Sequence, residues 1–172
     1  AAVLEPGAWA PRPTMPVAPE GGFAIASGPV LGALEEAVQR HVTGVGETVH
    51  TFELRRGWSW RGLERLAEGT HLTRGLELAE RVCGTCGFSH ALAFCQAAEE
   101  IAGLSVPPRA RAIRALVAEL ERVLAHLGDL AGLLDDCAWS AGAAELRRVR
   151  ELTRRLADGL FGHRHLRGVT VP

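Results

Sequence analysis

The residues best equipped for chemistry lie in one short string, Arg81-Val82-Cys83-Gly84-Thr85-Cys86-Gly87-Phe88-Ser89-His90. Two thiolates separated by two residues can hold one metal ion, because sulfur is a soft donor. Gly84 and Gly87 let the backbone bend so that both sulfurs converge. His90 lies four residues beyond Cys86. On a helix starting near Gly87 its imidazole returns beside Cys86, as a third ligand or as a hydrogen-bond donor to a sulfur. Arg81 places positive charge beside the thiolates and lowers their pKa. Two cysteines and one histidine leave a tetrahedral zinc site one ligand short. Cys95 is one to two helical turns further on and poorly aimed, and Cys137 is remote in sequence. Both read as buried small hydrophobes. Taken alone, Cys83 and Cys86 also fit a thiol redox pair, without the βαβ context such pairs keep, or two inert buried thiols.

Positioning that string is the task of the flanking elements. Residues 1–22 carry five prolines and read as an extended tail. Phe23–Ser27 is a short apolar run ended by Gly28-Pro29, which predicts a strand. Leu31, Leu34 and Val38 fall at helical spacing and predict a short helix over 31–42. Residues 47–55 alternate and predict a second strand, after a turn at Gly44-Val45-Gly46. From Leu63 the pattern becomes helical to Val82, interrupted by Gly69 and Gly75. A second helix runs over 88–102, with Ser89 as its N-cap and Gly103 as its stop. Pro107-Pro108 opens the longest helix. There Ile113, Leu116, Val117, Leu120, Leu124, Leu127, Ala131 and Leu134 predict one buried face. Residues 142–160 repeat the pattern with Leu146, Val149, Leu152, Leu156 and Leu160, and place five arginines on the polar side. The fold class expected is mainly α: a bundle of about four helices with a small N-terminal β element. The organisation expected is a tail at 1–22, a small α/β segment at 23–60, and a helical bundle at 61–172.

Bulk properties narrow the function classes. The chain has 172 residues, a net charge of −1, and 47% hydrophobic residues. At roughly 150 residues per domain, this is about one domain. It is too apolar for a disordered chain. Bulk charge offers nothing to nucleic acid, and no nucleic-acid partner is expected. No apolar run approaches the roughly 20 residues of a membrane span. Three of four cysteines fall between residues 83 and 95, unlike an evenly spread disulfide framework.

The wider string resembles the catalytic large subunit of nickel–iron hydrogenases, in particular the energy-converting, membrane-associated group that includes the formate hydrogenlyase type. The same fold serves as the quinone-site subunit of respiratory complex I. The resemblance rests on Arg61-Gly62-Leu63-Glu64 followed by the cysteine string, then Pro107-Pro108-Arg109-Ala110. After these come Glu119-Leu120-Glu121-Arg122, His126-Leu127-Gly128-Asp129 and Asp135-Asp136. The closing Leu166-Arg167-Gly168-Val169-Thr170-Val171-Pro172 and, upstream, Gly28-Pro29-Val30 and Gly46-Glu47 complete it.

What the resemblance implies is a nickel–iron centre with Cys83 as a terminal nickel ligand and Cys86 bridging nickel and iron. His90 would hydrogen-bond a metal-bound sulfur. Glu64 would accept a proton beside the nickel. Arg61 would face the iron–sulfur cluster of a partner small subunit. His126, Asp129 and Asp136 would lie on proton routes towards membrane-arm subunits. The implied setting is peripheral, on the cytoplasmic side of a membrane. The alternatives are a complex I-like quinone oxidoreductase subunit, whose relatives have lost the cysteine pair, or a non-catalytic structural subunit. Three departures stand out. Trp60 replaces a histidine before Arg61-Gly62, and Leu31 replaces one after Val30. The second cysteine pair that completes the family's nickel site is not among these 172 residues. The length therefore reads as a truncation, with Pro172 inside a family motif and no starting Met.

Overall fold

The computed structural model describes residues 16–30 and 37–172. Two compact units divide between Arg61 and Gly62.

The first unit is an antiparallel three-stranded sheet in the order β1-β2-β3. Its strands are β1 (Phe23–Ser27), β2 (Gln39–Val45) and β3 (Thr48–Arg55). β1 and β3 follow the expectation. β2 corrects it, because residues 39–42 form the central strand and not the end of a helix. Residues 31–36 of the expected helix, including Leu31, lie outside the described residues, as does most of the expected tail. The alternation that defines β2 rests on polar residues. His41 and Thr43 are its buried side chains, with Gly44 buried beside them, and an apolar count misses them. Thr43 hydrogen-bonds Thr51 across the pair at 2.6 Å. The two-residue link at 46–47 is made possible by Gly46 at φ +57°.

The second unit is helical: α1 (Leu63–Ala67), α2 (Leu72–Ala79), α3 (Gly87–Ala102), α4 (Pro108–Asp136) and α5 (Ser140–Phe161). The bundle of about four helices expected is present as five. Glu68 leaves α1 in an extended conformation and Gly69 sits at φ +66°. The run from Leu63 to Val82 is therefore two helices. Pro108 occupies the first turn of α4, where its missing N–H would have no helical partner anyway. α3 ends at Gly103 in the left-handed conformation, as expected.

α4 and α5 form a hairpin, turned by Ala138 at φ +58°. Small residues let the two helices close: Ala131, Ala143 and Ala157 are almost fully buried. Phe88, Val117, Leu124, Ala157 and Leu166 make the main core. Leu76, Ala91 and Cys95, with Phe94, make a second. Phe88 is 1% exposed; burying such a side chain contributes about 1.5–3 kcal/mol. The expected apolar stripes are only partly buried. Ile113, Leu116, Leu152, Leu156 and Leu160 are exposed. On α4 the buried positions are Val117, Glu121, Leu124 and Ala131. The packed side is thus rotated from the stripe's centre, and neighbours within this unit cover only part of it.

The segment after α5 folds back over α2, α3 and α4. The Gly168 amide donates to buried Glu80 at 2.5 Å. Thr170 donates to Cys95 Sγ at 3.9 Å. Arg114 donates to the Val171 carbonyl at 2.7 Å, while also pairing with buried Glu99 at 2.5 Å.

Candidate metal centre

Cys83 and Cys86 lie in the seven-residue link between α2 and α3. Cys86 is the N-cap residue of α3, at φ −128° and ψ 40°. His90 sits one turn into the helix, its amide bonded to the Cys86 carbonyl at 3.3 Å. That i, i+4 relation returns the imidazole to the cysteine, as the spacing requires. The ligand atoms of Cys83, Cys86 and His90 all lie within 4.8 Å of one another, and all three residues are half-buried. Among the described residues this is the one such group of histidines, cysteines and carboxylates. All four cysteines are free thiols.

Two packing features hold the link in shape. A Cβ on buried Gly87 would come 2.7 Å from the Glu80 carbonyl oxygen, so only glycine lets the end of α2 close onto the start of α3. The first amides of α3 find their acceptor 32 residues or more away, on α4. Phe88 N donates to Glu121 Oε1 at 2.7 Å. Ser89 N and Oγ donate to Oε2 at 2.9 and 2.5 Å. Ser89, expected to be the N-cap, is instead inside the helix.

The two thiols are not equivalent. Burial acts to raise Cys83, but hydrogen bonds from Cys86 and Thr85 outweigh it and hold Cys83 down at about 7. The Thr85 hydroxyl is 3.4 Å from its sulfur. Burial, the hydrogen bond to Cys83 and the charges of Cys83 and Glu121 push Cys86 up to about 11. Arg81, expected to supply the lowering, donates back to the Glu77 carbonyl at 2.5 Å. Between about pH 7 and pH 11 the pair holds one proton, with the negative charge on Cys83. A divalent cation would displace that proton and gain two thiolates and an imidazole. That donor set suits nickel, zinc or cobalt.

The other expected site residues fall outside this group. Glu64 is exposed in the first turn of α1. Arg61 is exposed and closes the first unit, and Trp60 beside it is exposed too. His126, Asp129 and Asp136 are exposed on α4. Cys95 is buried as expected, whereas Cys137 is exposed at the α4 C-cap. Most of the arginines on α5 are paired on the surface. Arg147 pairs with Asp135, Arg148 with Glu145 and Arg155 with Glu151.

Residues 61–130 match the family model described as nickel-dependent hydrogenase. Over that stretch the chain belongs to the nickel-dependent hydrogenase family. Its relatives agree. The carbon monoxide-induced hydrogenase of Rhodospirillum rubrum is 32% identical over 83% of this chain and 39% of its own length. The membrane-bound hydrogenase subunit alpha of Pyrococcus furiosus is 33% identical over 80% of this chain and 32% of its own length. An NADH-quinone oxidoreductase subunit of Carboxydothermus hydrogenoformans is 34% identical over 69% of this chain and 33% of its own length. The chain thus spans about two fifths or less of these relatives. The hydrogenase family segment contains all three members of the thiol–imidazole group. Sequence reasoning passed over Glu121 as a site residue. The readable signal was a glutamate at buried spacing, four residues after Val117 and three before Leu124.

Proposed function

We propose that this chain is the N-terminal portion of the catalytic large subunit of a membrane-associated nickel–iron hydrogenase, oxidising dihydrogen or reducing protons. The observation that carries this reading is the convergence of Cys83, Cys86 and His90 within 4.8 Å, inside the segment that matches the nickel-dependent family. Two thiols already sharing one proton fit a soft divalent metal. When bound, a nickel–iron centre would supply heterolytic cleavage of dihydrogen.

In this reading Cys83 and Cys86 hold two of the four thiolate positions. His90 donates a hydrogen bond that orients a sulfur. Glu64 would receive and return the proton, the task a carboxylate performs as a general base. His126, Asp129 and Asp136 pass protons along α4 towards a membrane arm. Arg61 would face the iron–sulfur cluster of a small subunit, where a cation would raise the cluster's potential. The assembly sits peripherally on the cytoplasmic side of the membrane. No helix among the described residues is long and apolar enough to cross a membrane. Exposed Leu116, Leu152, Leu156 and Leu160 support a chain that works against partners.

Nickel analysis of the complete complex tests the reading. Nickel should be present with the parent chain, and Cys83→Ser should remove both nickel and hydrogen uptake. Glu64→Gln should keep the nickel but slow hydrogen–deuterium exchange by about 10²–10⁴-fold. A complex free of nickel with Cys83 and Cys86 intact would overturn the hydrogenase reading. The similarity to an NADH-quinone oxidoreductase supports a second reading, a quinone-reducing subunit of complex I type. Quinone reduction by that nickel-free complex would establish it.

A further inference from the structure

The start of α3 has an unusual division of labour. A helix leaves its first amides without helical partners, and the N-cap side chain normally accepts from the second and third of them. Here the N-cap is Cys86, and its side chain makes no capping bond. The second and third amides, Phe88 N and Ser89 N, go instead to the two carboxylate oxygens of Glu121, at 2.7 and 2.9 Å. The Ser89 hydroxyl adds a third donor at 2.5 Å. Glu121 is 6% exposed and comes from the middle of α4, not from the cysteine loop. A cysteine thiolate at a helix N-terminus is stabilised by the positive end of the helix, but here the second and third amides are already taken by Glu121.

We propose that Glu121 is a positioning residue for the thiol–imidazole group: it caps α3 in place of Cys86 and so leaves the Cys86 sulfur free to face Cys83 and His90. The inference rests on the metal-centre reading above and deepens it. It separates two jobs that would otherwise fall on one sulfur, ending a helix and binding a metal. It also fixes the direction of α3, because the carboxylate is bidentate and α4 is held to α3 independently by Glu99 and Arg114. Glu99 supplies the matched comparison. It too is buried between α3 and α4, at 5% exposed, but its partners lie at the far end of α3 from the cysteines.

The test uses cobalt(II) as the probe, titrated into the reduced 172-residue chain and read by its thiolate charge-transfer absorption. Glu121→Ala should bind cobalt about 10–100-fold more weakly, the size expected when a ligand loses its orienting partner. Glu99→Gln should bind as the parent does. Cobalt affinity within about twofold of the parent in Glu121→Ala, or an equal loss in Glu99→Gln, would overturn the inference while leaving the metal centre intact. Should Glu121→Ala lose its helical circular dichroism, Glu121→Gln decides by the same criteria. It keeps the shape and one acceptor, and should weaken cobalt by at least about fivefold. A parent chain with no charge-transfer band would count against the metal centre itself. Amide exchange then decides the capping role. Phe88 and Ser89 should exchange at least about tenfold faster in Glu121→Gln with α5 unchanged, and unchanged exchange there would overturn it.

Discussion

At the scale of single residues, the unequal thiols make a chemical prediction about the metal-free chain. Cys83, held at about 7, is about half thiolate at neutral pH and mostly so slightly above it, whereas Cys86, pushed up to about 11, stays protonated there. Alkylation at about pH 7.5 should therefore label Cys83 at least about tenfold faster, even allowing for the weaker nucleophilicity of a low-pKa thiolate. Peptide mass spectrometry reads the ratio, and equal labelling would contradict the asymmetry. Gly87 makes a second prediction. A methyl group there meets the Glu80 backbone carbonyl, which cannot swing aside as a side-chain tip would. Gly87→Ala should cost about 1–3 kcal/mol in urea unfolding. The three members of the metal group were legible because their spacing is local, and a helix start brings i and i+4 together. Glu121, Glu80 and Glu99 were not. Each acts on a residue far along the chain, and only the fold brings donor and acceptor together.

Among the elements, the pair Glu99–Arg114 joins α3 to α4 and carries a pH signature. Hydrogen bonds from Arg114 hold the Glu99 carboxyl below its ordinary 4.5. A carboxyl depressed by folding contributes stability that is complete above its unfolded value and lost as pH falls through its folded one. Glu99→Gln should therefore lower the urea midpoint at neutral pH, and the gap from the parent should shrink as pH falls below the ordinary carboxyl range. A gap that stays constant with pH would contradict the ion pair. The helices themselves were readable, since Pro108 and Gly103 punctuate α4 and α3 by their own backbone limits. β2 was not. Its buried side chains are those of His41 and Thr43, and a pattern written in polar residues is silent to hydrophobic spacing. The division between α1 and α2 was visible as Gly69, but its left-handed backbone is what turns an interruption into an end.

For the molecule as a whole, the main core of the second unit gathers around Phe88, two residues from Cys86. Phe88→Ala should cost about 3–5 kcal/mol. That is a large part of the usual 5–15 kcal/mol of a domain. Calorimetry should show the helical unit's transition falling steeply, and a shift smaller than that of Gly87→Ala would argue against Phe88 as the centre of the core. The side chain that anchors α3 thus stands next to the site, so stability and metal geometry are coupled through one turn of helix. The return of the last segment onto Glu80 has a consequence in time as well as in space. At synthesis rates of about 5–20 residues per second, the roughly 85 residues from Cys83 to Gly168 take roughly 4–17 s to emerge. Glu80 cannot receive the Gly168 amide until then. A nascent chain therefore presents its paired thiols to the surrounding medium for seconds before that latch can form, long enough for a carrier to deliver a metal or for an oxidant to close them into a disulfide.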